Sequence, residues 1–140
     1  QTTEGTYTVE ATNGTCPAQT MTGSVSVTVN PLPTAYTLTG GGAYCAGGGG
    51  VAVGLSGSET DVSYQLKRDG TAVGEPVSGT GSTLSFGNQT TEGAYTVEAT
   101  NGTCAPQTMT GSVSVTVNAL PVVSLTGLAS GYCQNASPFT

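Results

Sequence analysis

Apolar and polar residues alternate through the middle of the chain. Val51, Val53 and Leu55 are interleaved with Ala52 and Gly54, and Val62, Tyr64 and Leu66 with Ser63, Gln65 and Lys67. Leu84 and Phe86 flank Ser85. Tyr95, Val97 and Ala99 alternate with Thr96, Glu98 and Thr100, and Val113, Val115 and Val117 with Ser114 and Thr116. A period of two sends successive side chains to opposite faces, as in strands with one buried face. The pattern predicts strands over about 35–39, 51–56, 62–68, 71–77, 82–87, 94–100 and 111–118. Turn-forming residues separate them: Asp69-Gly70, Ser78–Gly81, Gln89–Gly93 and Asn101-Gly102. Asp-Gly and Asn-Gly supply the positive φ that tight hairpins need. No stretch carries the i, i+3, i+4 spacing of an amphipathic helix. Short strands with regular turns predict an all-β fold, an antiparallel β-sandwich.

The pattern also repeats. Residues 1–30 and 89–118 differ at three positions only: Thr6 against Ala94, and Pro17-Ala18 against Ala105-Pro106. Tyr7 and Tyr95, like Cys16 and Cys104, stand 88 residues apart. Asn30, Leu32, Pro33, Tyr44 and Cys45 recur at the same offset as Asn118, Leu120, Pro121, Tyr132 and Cys133. The expected organisation is a tandem array of 88-residue repeats. Residues 1–30 are the C-terminal part of one repeat, 31–118 a complete repeat and 119–140 the N-terminal part of the next. Prolines at the boundaries (Pro31, Pro33, Pro121) stiffen the connection and end the last strand's pairing. The chain has no initiator Met and no signal peptide, as expected of an internal segment.

Composition narrows the chemistry. Charged residues make up 7% of the chain, against about 25% in ordinary domains. There are 2 Lys plus Arg, 8 Asp plus Glu, no His, and a net charge of −6. Two cations cannot neutralise a phosphate backbone, so no nucleic-acid partner is expected. Without His there is no His general base, no Ser-His-Asp triad and no His-ligated metal. No apolar run approaches the roughly 20 residues of a membrane span. The abundance of Val and Thr in alternating order argues for a folded chain rather than a disordered one.

Candidate sites are few. Glu59, Asp61, Asp69 and Glu75 are acidic but lack the close spacing of a calcium loop, so they are expected to be solvated surface. Gly47–Gly50 lacks the Lys-Ser/Thr of a phosphate loop and precedes a strand, which makes it a turn. Lys67 alternates away from Tyr64 and Leu66, against a buried isopeptide. Asn13, Asn88, Asn101 and Asn135 head N-x-Ser/Thr sequons. Tyr36 and Tyr44 are the aromatics that would mark a ligand-binding end if they clustered. The four cysteines, Cys16, Cys45, Cys104 and Cys133, allow three pairings. Cys45–Cys104 lies within one repeat; Cys16–Cys45 with Cys104–Cys133 crosses repeats. Loop entropy hardly separates them, at about 4 against about 3.5 kcal/mol. No catalytic residue, metal ligand or cofactor is expected.

The runs Tyr44-Cys45-Ala46-Gly47, Tyr95–Cys104 and Val113–Pro121 resemble motifs of the bacterial Ig-like and PKD-like tandem repeats of giant Bacteroidetes surface proteins. The resemblance implies an immunoglobulin-like β-sandwich. It also implies an extracellular or cell-surface location and a structural role in an adhesin stalk or filament. The partners it implies are neighbouring repeats, other copies in a filament and glycans. The alternative is a carbohydrate- or surface-binding module whose loops contact a ligand. Glu92–Val97 resembles the tyrosine corner of such domains, with the Tyr95 hydroxyl bonding nearby backbone. Tyr64 stands where an antibody domain carries its core Trp. The resemblance also implies the Cys45–Cys104 pair, because both cysteines commonly occur within one such domain. In that topology strands 51–56 and 94–100 run parallel. Cys45 and Cys104 then lie at opposite ends unless the glycine run or the 101–111 connection lets one reach inward.

Overall fold

The computed structural model describes residues 1–127. These form fourteen strands and no helix. Four short strands come first: β1 (Gly5–Tyr7), β2 (Glu10–Ala11), β3 (Gln19–Thr20) and β4 (Val25–Val27). They make one long, interrupted hairpin, with β1 antiparallel to β4 and β2 antiparallel to β3.

The main body follows. It comprises β5 (Leu38–Gly40), β6 (Gly42–Cys45), β7 (Val51–Leu55), β8 (Ser63–Arg68) and β9 (Thr71–Ala72). It continues with β10 (Val77–Ser78), β11 (Leu84–Gln89), β12 (Gly93–Thr100), β13 (Gln107–Thr108) and β14 (Val113–Asn118). One sheet has the order β11-β7-β5; the other runs β10-β8-β12-β14-β6, with β9 on β8 and β13 on β12. A single core is drawn from both. Leu38, Val53, Leu55 and Leu84 come from the smaller sheet, and Tyr64, Leu66, Tyr95, Val97, Ala99 and Val115 from the larger. These residues include the inward positions of the alternating runs, so period-two patterning becomes one shared apolar layer.

The structure corrects the strand reading at three places. The first strand, expected at 35–39, is β5 at Leu38–Gly40, and an unexpected strand, β6, follows it in the other sheet. The chain leaves β5 and enters β6 through Gly40 and Gly41, whose φ values are 89° and 76°. A Cβ at Gly40 would sit 2.1 Å from the Ala52 carbonyl oxygen, and one at Gly41 would sit 2.8 Å from Cβ of Val113. Only glycine fits both the conformation and the space. Second, β6 pairs parallel with β14, matching Val115 to Gly42 and Asn118 to Cys45, so the larger sheet is not purely antiparallel. Third, the strand expected at 71–77 shrinks to β9 and β10, two residues each. Gly74 at φ 64° turns the chain between them, and Pro76 offers no amide to a ladder.

The 88-residue offset survives in the register. Gly5 faces Val27 and Tyr7 faces Val25 in the N-terminal hairpin; Gly93 faces Val115 and Tyr95 faces Val113 in the body. Glu10↔Thr20 likewise matches Glu98↔Thr108. Burial differs sharply between the copies. Val97 and Met109 are 0% and 3% exposed, whereas their counterparts Val9 and Met21 are 65% and 42% exposed. The first copy carries the same apolar face without a second sheet to cover it.

Candidate functional site

The two ends of the body are where polar side chains do the most. At one end the chain arrives through Asn30 and Pro31. Asn101 Nδ2 donates to the Pro31 carbonyl at 3.0 Å, and Sγ of Cys104 lies 3.4 Å from the Asn30 carbonyl oxygen. The Thr34 hydroxyl and amide both donate to the Glu59 carboxylate, at 2.5 and 3.2 Å. Pro33 is buried. The connection into the body is therefore tied by side chains on two loops rather than hanging free. At the other end, the Asn118 carbonyl accepts the Ala46 amide at 2.8 Å. The Tyr44 hydroxyl donates to the Thr90 carbonyl there, and Asn88 Nδ2 donates to the Gly49 carbonyl at 3.0 Å.

Between the ends, two tyrosines brace the core. Tyr95, 1% exposed, donates its hydroxyl to the Thr91 carbonyl four residues upstream at 2.7 Å. Tyr7 makes the same bond to Thr3, also at 2.7 Å, in the N-terminal hairpin. Tyr64 is fully buried, and its hydroxyl oxygen accepts the Glu59 amide at 2.9 Å. Burial pushes the Tyr64 phenol above its ordinary value, with the Glu59 amide bond opposing the shift.

The acidic residues do not converge. Glu59 holds Thr34, while Asp69 accepts the Ala94 amide at 3.0 Å and shapes the turn after β8 with φ 48°. Asp61 sits in a separate turn at φ 64°, and Glu75 is exposed between β9 and β10. Among the described residues no three His, Cys, Asp or Glu side chains come together as a metal site. Gly47–Gly50 forms the turn between β6 and β7, with Gly50 packed against the Gln89 carbonyl. Lys67 is half-buried and pairs with Glu98 across β8 and β12 at 2.7 Å. Tyr36 packs beside Gly57 and Met109 at the arriving end, while Tyr44 bonds Thr90 at the departing end, so the two aromatics do not form one patch. Asn13 and Asn88 are exposed, Asn101 is occupied by Pro31, and Asn135 lies outside the described residues.

The cysteines depart from the expected pairing. Cys45 and Cys104 are free thiols, as is Cys16; Cys133 lies outside the described residues. Cys45 faces Asn118 at one end of the larger sheet. Cys104 follows β12 at the other end, beside Asn30. Counting along β12 and β14 at about 3.3 Å per residue separates them by about 30 Å. A disulfide needs Cα atoms within about 7 Å, so neither the glycine turn nor the 101–111 connection brings the pair together. The bonds to Pro31 and Asn30 hold the second loop outward.

A surface depression of about 270 Å³ lies against the smaller sheet and is lined by residues such as Thr39, Val53, Leu55 and Leu84. It holds no charged side chain. Among the described residues no helix is long and apolar enough to cross a membrane. No known protein family and no curated protein matches the chain.

Proposed function

We propose that the chain is a stretch of a tandem array of immunoglobulin-like units that serves as a semi-rigid spacer in an extracellular filament or adhesin stalk. One observation carries the reading. The N-terminal hairpin has the register of β12–β14, residue for residue at an offset of 88, yet its apolar face is bare. That face matches one that β5, β7 and β11 help cover in the body. A preceding unit of the same sequence type would supply those strands, and burying Val9, Met21 and Val25 would then contribute about 1.5–3 kcal/mol per large side chain. The tied connection at Asn30–Thr34 limits swivelling between units, as a spacer requires. The order of sheets and the Tyr95 bond fit the immunoglobulin-like arrangement.

The partners in this reading are adjoining repeats and other copies, held through contacts between neighbours. The two tyrosines most suited to gripping a glycan lie at opposite ends, and each is engaged by its own unit. Electron micrographs of the parent protein test the proposal. Slender threads with an axial spacing of roughly 35–45 Å follow from one body per 88 residues laid end to end. Compact particles without that spacing would refute it.

A further inference from the structure

We infer that consecutive units are clamped by a disulfide bond between Cys45 of one unit and the counterpart of Cys104 in the unit that follows. The inference rests on the tandem reading and adds a covalent partner to it. Its basis is a shared asparagine. Asn118 ends a unit; it is the register partner of Cys45, and its carbonyl accepts the Ala46 amide at 2.8 Å. Asn30 occupies the same place one repeat earlier. Its carbonyl oxygen lies 3.4 Å from Sγ of Cys104, in the unit it leads into. The last residue of a unit is thus next to Cys45 on its own side and next to a Cys104-type thiol on the far side.

Combining the two ends through that asparagine sets Cα of Cys45 within about 10 Å of the following unit's sulfur. Strand spacing accounts for about half of this distance. The same-unit pair is about 30 Å apart. The remaining gap falls within the reach of a disulfide after a small movement of the 46–50 turn, where Gly47 and Gly50 already take positive φ. Cys45 is exposed and Cys104 only half-buried, so both thiols can be reached by an oxidant. Forming the bond breaks two S–H bonds and makes one S–S bond. The two protons and two electrons pass to a disulfide-bearing oxidant, which is reduced to a dithiol.

The pairing explains why Cys16, Cys45 and Cys104 are all free in this chain. By the 88-residue spacing, no two of the chain's four cysteines are partners. Each clamp spans the connection between units, and successive clamps overlap in sequence. Because each clamp closes the chain between its two cysteines into a loop, a unit that opens under tension can extend only as far as that loop allows.

The test uses a protein with several consecutive units, purified without reductant. Free thiols are alkylated under denaturing conditions and located by peptide mapping, before and after Cys45→Ser in one interior unit. The parent is expected to show interior thiols protected. The variant is expected to release one thiol, the Cys104 counterpart of the next unit. Release of Cys104 in the same unit, or of the Cys104-type thiol one unit earlier (as Cys16 is to Cys45), would overturn the clamp. So would a parent whose interior thiols are all free. A second readout needs no variant: the 140-residue chain alone, oxidised at low concentration, should form no internal disulfide, and finding one overturns the assignment. The axial spacing of threads from the same preparation separates the two ideas. Free thiols with the spacing intact defeat the clamp alone, whereas loss of the spacing defeats the spacer reading.

Discussion

Tyr95→Phe isolates a single hydrogen bond and leaves the ring in place. The ring is 1% exposed and packs in the core, so its burial is unchanged by the substitution. What disappears is the 2.7 Å bond from the hydroxyl to the Thr91 carbonyl. A net intramolecular hydrogen bond contributes about 0.5–1.5 kcal/mol. Thr91 is exposed, so water can reach its carbonyl after the change, which keeps the cost inside that range rather than above it. For a unit of this size 1 kcal/mol moves the melting temperature by about 4–8 °C. Tyr7→Phe supplies a matched control, because Tyr7 makes the same bond to Thr3 in a hairpin that lacks a covering sheet. There the loss should stay within about 0.5 kcal/mol of the parent. Urea unfolding followed by tyrosine fluorescence, with the m-value checked for constancy, measures both. Equal midpoints for the parent and Tyr95→Phe, or equal losses for the two variants, would refute the bracing role.

Other substitutions and conditions test the same structure. Met109→Ala should cost about 2–5 kcal/mol because the side chain is 3% exposed. In the isolated chain Met21→Ala, at 42% exposure, should cost under about 0.5 kcal/mol; similar losses would mean the two hairpins are equally covered. Trypsin should cut native material only over hours, since Lys67 and Arg68 lie within β8, flanked by β12 and β9; rapid cleavage after either residue would contradict that placement. Tyr64 predicts alkaline sensitivity. Its folded pKa is raised by burial, so its contribution is complete below the unfolded value near 10 and is lost as pH climbs above it. Chemical denaturation from pH 8 to 11 should show stability falling above pH 10, less steeply in Tyr64→Phe; identical slopes would sink the assignment.

Much of the body is legible in the sequence because one physical rule governs it. Where one face of a strand is buried, alternation must appear, and β7, β8, β11, β12 and β14 all carry it. The inward position of Tyr95 was legible for the same reason, whereas its hydroxyl bond to nearby backbone was expected from the resemblance to a tyrosine corner. β6 was not legible. Gly42-Ala43-Tyr44-Cys45 has no alternating apolar face, and what makes it a strand is a parallel ladder to β14, some 70 residues on, which no local pattern encodes. Gly40 and Gly41 before it fall outside every expected strand, yet they serve as the switch between sheets. Glu59 read as solvated surface because its partner, Thr34, is fixed only by the fold. The Cys45–Cys104 pairing came from the resemblance alone, while the parallel course of two strands pointed to opposite ends, where the structure places the two thiols.

The central claim is that each 88-residue unit adds one body to the length of a string. Small-angle X-ray scattering on proteins with two, three and four consecutive units measures this directly. The maximum dimension should grow by a constant increment of roughly 35–45 Å per unit, the length of the strands plus the turns at both ends. An increment well below this range, with the radius of gyration rising as for a compact particle, would contradict the account.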